Sequence, residues 1–310
     1  MPHGSPIAGK APGGDPVAAD IIEQFSGALA ACGIELAKGE RIIPDGHLHR
    51  VRLAMDKPGQ RAGWYRLHLD SPPAGVGGDW RTGVKVSWSA KRPERLSPAE
   101  RETLRQRIQC EQAERKAEEW ARHREAAQRG AWAWNHARPA DARHPYLIRK
   151  HLAPGIARQR GASLVLPVLD FGGYLRGVQY IQPDGQKRFI AGMKKAGCWI
   201  PAGPKPDGSR PLWIGEGWGT ACALQLMRPE VCCIAGLDAG NLASVAIEAR
   251  KRWPSLDIVV CPDFDAVGRQ KGQEAAEKAR ARIVSPPSEI PQGATDWLDI
   301  LNARQGVRSC

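Results

Sequence analysis

The sequence lacks long apolar runs, an apolar signal core and paired cysteines. None of its apolar runs approaches the roughly 20 residues that cross a bilayer, so we expect no membrane partner. The N-terminus has no apolar core of a secretory signal, which predicts a cytoplasmic protein. The 8 cysteines are scattered and form no C-x-x-C pair, so no zinc site is expected.

Positive charge is what the sequence has in excess. The 310 residues include 45 Lys and Arg against 33 Asp and Glu, a formal net charge of +12. The positive residues are spread along the whole chain, and such an excess favours nucleic acid or another polyanion over a neutral metabolite as partner. A basic protein without a polyanionic partner would have the same composition, so both interpretations stay open.

The N-terminal part predicts a leader and a small module. Residues 1–18 are rich in Gly, Pro and Ala without periodicity, which predicts a disordered leader. Residues 19–92 then predict an α+β module, in which the glycine-rich stretch 74–78 forms a turn. The predicted elements of this module are a helix and three strands, 19–36, 47–55, 63–69 and 84–88.

A charged helical connector is predicted over 93–142. Ser97-Pro98-Ala99-Glu100 combines a capping box with a proline at the first helical position, and the pattern predicts a helix from there to about Arg129. The apolar stripe of this helix is thin and consists mostly of alanines. Such a helix is normally solvated or connects domains.

Residues 143–207 predict a small antiparallel sheet with a basic surface. Two glycine-containing turns separate three predicted strands, 163–170, 174–181 and 187–190. Four cations follow the second turn, and they are the candidate contacts to nucleotide and nucleic-acid phosphates: Lys187, Arg188, Lys194 and Lys195. A solvated sheet edge that discourages strand pairing is the alternative interpretation.

Residues 208–310 alternate between strands and helices in the βαβ manner, which predicts a parallel sheet with helices on both faces. One apolar run, 212–214, is followed by Glu216, and another, 258–261, is followed by Asp263 and Asp265. Open α/β sheets hold their ligands at the carboxyl ends of the strands. We therefore expect these three carboxylates to meet at one edge of the sheet.

Three converging carboxylates predict a divalent cation site. Mg²⁺ prefers oxygen ligands and completes its coordination with water and substrate phosphates; Mn²⁺ would suit the same ligands. Asp296 and Asp299 supply further acids near the end of the chain. For these two residues, helix N-capping is an equally good interpretation.

The same residues carry a family resemblance. Four motifs of this chain resemble the Toprim domain: Gly215-Glu216-Gly217, Gly236-Leu237-Asp238, Asp263-Phe264-Asp265 with Gly268, and Asp296 through Asp299. That domain is shared by bacterial-type primases, topoisomerases and some nucleases. Within that domain, the chain looks like the plasmid- and phage-encoded DNA primases. Residues 166–170 and 177–179, with 185–189, resemble the basic subdomain that precedes Toprim in bacterial primases. The resemblance covers about 143–302 and, more loosely, 65–88.

The resemblance implies a fold and a function. The fold would be α/β, a Toprim-like parallel sheet with flanking helices, preceded by a small antiparallel α+β subdomain, a long charged helix and the N-terminal module. The function would be metal-dependent nucleotidyl transfer, in which a DNA primase makes short RNA primers from ribonucleoside triphosphates on single-stranded DNA. A replicative helicase or a zinc-binding template-recognition protein would be a partner.

The resemblance also implies roles for individual residues. Glu216, Asp263 and Asp265 would be catalytic and hold the metal, with Asp296 as an accessory ligand, while Lys187 and Arg188 would face phosphates. Two positions depart from the family pattern. Phe264 stands where relatives often carry Asn, and Lys271 stands where Asn is expected.

Two other functions use the same features. A metal-dependent nuclease would place water where a primase places a 3′-hydroxyl, and the basic subdomain before the acids is what favours priming. A non-catalytic protein that binds single-stranded DNA would also need a basic surface. A topoisomerase is not favoured, because the 4 tyrosines lie in small segments rather than in a strand-passage domain.

Overall fold

The computed structural model describes residues 16–70, 72–91, 97–284 and 293–306. Three sheets are present in these ranges, one of four strands and two of five. The chain divides into two compact units, the first ending at Glu114 and the second beginning at Arg115. Among the described helices, none combines the length and apolar character needed to cross a membrane.

The first unit contains an antiparallel sheet with a helix packed on one face. Its elements are α1 (Pro16–Ala30), β1 (His49–Val51), β2 (Gly63–His68), β3 (Ala74–Asp79) and β4 (Lys85–Ser89), with the strands in sequential order. The helix begins three residues before the predicted start, so the end of the predicted leader is helical. The rest of that leader, 1–15, lies outside the described residues.

The glycine-rich stretch that predicted a turn is in fact the strand β3. Glycine usually weakens a strand, but here it allows close packing against α1. A Cβ on Gly75 would lie 2.7 Å from the Phe25 ring, and one on Gly77 would lie 2.7 Å from a Leu29 methyl carbon. The prediction was wrong because the helix that occupies this space is remote in sequence.

The second unit begins with an antiparallel sheet in the region of the predicted basic subdomain. Its elements are β5 (Arg138–Pro139), α3 (Pro145–Lys150), β6 (Arg158–Arg160), β7 (Ser163–Leu169), β8 (Leu175–Ile181) and β9 (Lys187–Phe189). The five strands lie in sequential order. The three strands predicted here are confirmed within one or two residues at each end.

The long helix α2 (Pro98–Asn135) ends six residues beyond the predicted end at Arg129. Its last turns do not need a leucine stripe, because small residues bring the helix close to β8. Ala126 and Ala133 are fully or almost fully buried. Gly130 lies directly over Gly177, and a Cβ on Gly130 would be 2.7 Å from the Gly177 Cα.

Gly130→Ala is therefore expected to lower the free energy of unfolding by about 1–3 kcal/mol, because the obstructing atom belongs to the backbone. Gly27→Ala is the matched control in α1, since no described heavy atom lies within 4 Å of its added Cβ. There, the better helix propensity of alanine should raise stability by up to about 1 kcal/mol. Urea unfolding measures both variants, and a Gly130→Ala protein as stable as wild type would contradict the packing.

The second sheet of this unit confirms the predicted parallel architecture. Its elements are β10 (Ile200–Pro201), β11 (Leu212–Gly215), α4 (Trp218–Met227), β12 (Cys232–Ala235), α5 (Leu242–Arg252), β13 (Ile258–Cys261), α6 (Ala266–Ala279), β14 (Arg282–Ile283) and α7 (Trp297–Arg304). The strand order is β10-β12-β11-β13-β14, with only β10 antiparallel. The strands β11, β12 and β13 are buried along their whole length, as parallel strands covered by helices must be.

Apolar clusters cover both faces of the parallel sheet. One contains α5 and α6 residues such as Val245 and Ala275. The other joins the sheet to the preceding antiparallel sheet through Leu166, Trp218 and Leu298. The antiparallel sheet is thereby held against the carboxyl ends of β11 and β13.

Candidate functional site

Adjacent parallel strands deliver two of the predicted carboxylates to one place. The strands β11 and β13 pair directly, with Gly215 opposite Cys261. Glu216 follows the first of these residues and Asp263 comes two positions after the second. The sequence left open whether β12 lies between these strands; it lies on the other side of β11. The expectation of a shared edge is confirmed.

An aromatic pair joins the Asp263 loop to the Asp296 loop. Phe264 and Trp297 pack edge to face with ring centroids 5.3 Å apart, and both are buried. The Trp297 indole N–H donates to the Pro262 carbonyl at 3.0 Å. The aromatic residue at position 264 therefore fixes the distance between the two acidic loops.

Asp263 is a half-buried acid close to other carboxylates. Burial raises its pKa to about 7, and the neighbouring carboxylates of Glu216 and Asp296 act in the same direction. A hydrogen bond from the Thr220 hydroxyl to Asp263 Oδ1 (2.9 Å) and the Lys187 ammonium oppose the shift. The side chain is therefore about half protonated at neutral pH without a further cation.

Thr220 belongs to the first turn of α4. The N-cap of that helix is Gly217, and the helix begins at Trp218. Threonine is a good N-cap residue, so the sequence alone favours a helix start at Thr220, because glycine has no side chain to mark the actual start. In the structure Thr220 is buried, and its hydroxyl orients Asp263.

Glu216 is the second acid of the site with a raised pKa. Burial and the nearby Asp265 carboxylate raise its pKa, with a smaller contribution from Asp238. A hydrogen bond to the Ala239 backbone and the Lys187 ammonium lower it. Its Oε2 atom is buried and has no hydrogen-bond partner among the described residues. A buried carboxylate oxygen in this state has an unmet need for a cation or a donor.

Asp265 and Asp296 both cap helices. Asp265 Oδ1 accepts from the Gly268 amide at 2.6 Å at the start of α6. Asp296 Oδ1 accepts from the Leu298 and Asp299 amides at 2.9 and 3.0 Å at the start of α7. The N-cap interpretation of Asp296 is therefore correct, and the same side chain also lines the cavity beside Asp263.

A cavity of about 300 Å³, called the carboxylate cavity below, opens at Asp263 and Asp296, whereas Glu216 and Asp265 do not line it. It is lined by Tyr146, Arg149, Lys150, Asp184, Gly185, Lys187, Gly217, Gly219, Thr220, Asp263, Asp296 and Leu298. The lining combines the acids Asp184, Asp263 and Asp296 with the cations Arg149, Lys150 and Lys187. This pairing of charges suits an anionic substrate that arrives with a metal ion.

The helix α3 contributes residues to this cavity that were not predicted from the sequence. The buried His144 caps the helix by accepting from the Tyr146 amide, and Pro145 follows as the first helical residue. That helix-start signal is readable in the sequence. Nothing in the sequence indicates that the helix places Arg149 and Lys150 in the same cavity as Asp263, since this placement depends on how the sheets pack.

The four predicted cations do not form one patch. Lys187 lines the carboxylate cavity, whereas Arg188, the next residue on β9, donates from Nε to Gln186 and does not line it. Lys195 pairs with Asp238 at 2.5 Å. Lys194 lines two cavities elsewhere on the unit. Only Lys187 therefore faces both Glu216 and Asp263.

The donor set fits Mg²⁺ in chemistry. Carboxylate oxygens are the ligands this ion prefers, and burial together with neighbouring carboxylates disfavours the anionic forms of both Glu216 and Asp263. Within the ranges the structure describes, however, no three His, Cys, Asp or Glu side chains stand together as a ready ligand set. Instead, the Thr220 hydroxyl donates a hydrogen bond to Asp263, and helix amides donate to Asp265 and Asp296.

The raised pKa of Asp263 makes stability depend on pH. An acid whose pKa rises from 3.8 to about 7 on folding stabilises the native state when protonated. That contribution, up to about 4 kcal/mol, is present below pH 4 and is lost as pH rises to 7. In metal-free buffer the Tm is expected to fall between pH 5 and 8 in wild type and to fall less in Asp263→Asn. Equal slopes would contradict the assignment.

Comparison with known proteins identifies the second sheet and its helices. Residues 211–305 match the family model described as Toprim domain. Two proteins named DNA primase TraC from Escherichia coli are similar to the chain. One is 32% identical and the match covers 87% of this chain and 27% of the relative; the other is 30% identical and covers 85% and 19%.

A solved structure, the primase fragment of the bacteriophage T7 primase-helicase protein, matches 48% of this chain and 61% of its own. The TM-score is 0.39 at 14% identity.

The chain spans about a quarter or less of the length of the curated relatives it matches. The resemblance read from the acidic motifs is confirmed: residues 211–305 match the Toprim domain model, and the chain is similar to proteins named DNA primase TraC.

Proposed function

We propose that this protein is a DNA primase that makes short RNA primers on single-stranded DNA for plasmid or phage replication. The similarity to proteins named DNA primase supports a priming role, although the chain covers only 27% and 19% of their lengths. The substrates would be ribonucleoside triphosphates and a single-stranded DNA template. Five functional segments are proposed with the boundaries read from the sequence: 1–18, 19–92, 93–142, 143–207 and 208–310.

The observation that carries the proposal is the presence of both acids and cations in the lining of the carboxylate cavity. Asp263 and Asp296 line it, and so do Lys187 and Arg149. A nucleoside triphosphate needs both, since its phosphates bind ammonium and guanidinium groups while also sharing a divalent cation with carboxylates. The cavity volume of about 300 Å³ suits the phosphates rather than a whole nucleotide.

Glu216, Asp263 and Asp265 would hold Mg²⁺ or Mn²⁺, with Asp296 as an accessory ligand. The bound ion would orient the triphosphate and neutralise charge as a 3′-hydroxyl attacks the α-phosphate. Thr220 would keep Asp263 oriented through the hydrogen bond to Oδ1. Because a ligand must be deprotonated, occupation of this site would weaken as pH falls below about 7.

The remaining cations are proposed to serve the template. The Lys195 ammonium lies 4.6 Å from the centroid of the Phe189 ring. Phe189 is on β9, the strand that also carries Lys187. Lys194 and Arg188 are exposed and free to contact phosphates from other directions. A replicative helicase or a zinc-binding template-recognition protein would supply start-site selection as a partner.

A priming assay tests the function. The protein is incubated with circular single-stranded DNA, four labelled ribonucleotides and Mg²⁺, and we expect short labelled RNA that disappears with EDTA. In a parallel reaction with Mn²⁺ and no nucleotides, the DNA should stay intact. Shortened DNA would favour the nuclease, and DNA binding that is indifferent to Mg²⁺ and Glu216→Gln would favour a non-catalytic binding protein.

A further inference from the structure

The antiparallel sheet of the second unit has an outer face that the proposed active site does not use. Alternation along β9 directs Lys187 to the carboxylate cavity and Arg188 to the other side. Arg188 lies opposite Tyr180 on β8, so the two side chains share that side. Tyr180 in turn lines a second cavity, of about 420 Å³, together with Arg129, Trp132 and Arg160.

Trp132 is the centre of this outer face. It is 51% exposed, although it lies on a part of α2 whose alanines are buried. The His136 ring stacks on it with centroids 4.6 Å apart and planes 26° from parallel. The Arg160 guanidinium lies 4.4 Å from the ring centroid. Three planar groups are therefore grouped at a solvent-exposed position.

The arginines of this face have neutral contacts. Arg129 donates to the Ala191 carbonyl at 2.8 Å, and Arg188 donates to the Gln186 side chain at 3.0 Å. Neither these two nor Arg160 form an ion pair with a carboxylate that the structure describes. No acid is present among the described residues that line the second cavity. Their positive charge is therefore available to a polyanion.

Arg228 of the same unit behaves differently. It also lies over a tryptophan, 5.1 Å from the Trp213 centroid, but it pairs with Glu230 at 2.5 Å. The tryptophan beneath it is buried, with 8% exposure. The outer face thus differs from an ordinary covered tryptophan in both its exposure and its uncompensated charge.

We propose that Arg129, Trp132, His136, Arg160, Tyr180 and Arg188 form a second binding surface for single-stranded DNA, separate from the carboxylate cavity. Single strands are bound by a basic track combined with planar groups on which unpaired bases stack. A duplex offers phosphates but keeps its bases paired, so the planar side chains would contribute no stacking energy to duplex binding. The choice of DNA rests on the proposed function, in which the template is DNA.

Binding of a fluorescent oligo-dT to the full chain in EDTA tests this surface, because catalysis is excluded. We expect Trp132→Leu and Arg160→Ala each to weaken binding roughly tenfold. Arg160→Ala should also reduce the slope of log K against log salt by about 0.7, the value for one phosphate contact on a single strand. Arg160→Lys should keep that slope and lose the stacking contribution.

Arg228→Ala is the matched control and should bind as wild type, and circular dichroism verifies the fold of every variant. Unchanged affinity in both Trp132→Leu and Arg160→Ala would overturn the surface. If the variants lose as much affinity for duplex DNA as for oligo-dT, the surface binds polyanions in general. If they lose more affinity for single-stranded RNA than for single-stranded DNA, the ligand is RNA. Either result overturns the proposal.

Failure of the proposed function is a separate result. If the wild-type protein makes no primers and Arg160→Ala still weakens binding of oligo-dT, the priming function is contradicted and the binding surface is supported.

Discussion

Asp263→Asn is expected to reduce primer synthesis by on the order of a hundredfold or more while the protein remains folded. Loss of an outer-shell partner of a metal ligand already costs about 10–100-fold in affinity or activity, and Asp263 is proposed as a ligand itself. The asparagine keeps the shape and can still accept from the Thr220 hydroxyl. It removes the charge that burial and Glu216 already destabilise, so the fold should not be weakened.

The measurement is the yield of labelled RNA on single-stranded DNA at saturating Mg²⁺. Asp257→Asn is the matched control, because it makes the same change just before β13, at the opposite end of the strand from Asp263. Asp257 pairs with Arg282 on the surface, and losing such a pair costs about 0–1 kcal/mol. Similar yields from Asp263→Asn and wild type would refute the proposed role of the acid.

Mg²⁺ is expected to raise the Tm of the wild-type protein, and Glu216→Gln is expected to remove this effect. A ligand at a hundred times its Kd stabilises the folded state by about 2.7 kcal/mol. Glu216 should be decisive because its buried Oε2 has no partner among the described residues until a cation arrives. Without metal, Glu216→Gln should be at least as stable as wild type, since its pKa is raised in the native state.

Thermal unfolding with EDTA and with increasing Mg²⁺ measures the effect directly and needs neither nucleotide nor DNA. Glu248→Gln serves as control, because Glu248 is a surface residue of α5 that pairs with Lys251. The control should respond to Mg²⁺ as wild type does. A wild-type Tm that is independent of Mg²⁺ at neutral pH would contradict metal binding by these acids in the free protein.

The parallel sheet and the meeting of its acids were determined by the sequence itself. The strands β11 and β13 are fully buried and read as short apolar runs, and βα connections place the carboxyl ends of such strands on one edge. Glu216 and Asp263 follow those runs directly. Both local pattern and topology rules therefore point to the same site, which is why the position of its acids could be predicted.

The tertiary structure decided the rest of the site. Whether Lys187 or Arg188 faces the acids depends on which side of β9 packs against the parallel sheet, and two adjacent basic residues carry no signal for that choice. The same holds for Arg149, which reaches the cavity only because α3 docks there. Local sequence specifies which elements form; contacts between residues far apart in the chain specify which of their side chains meet.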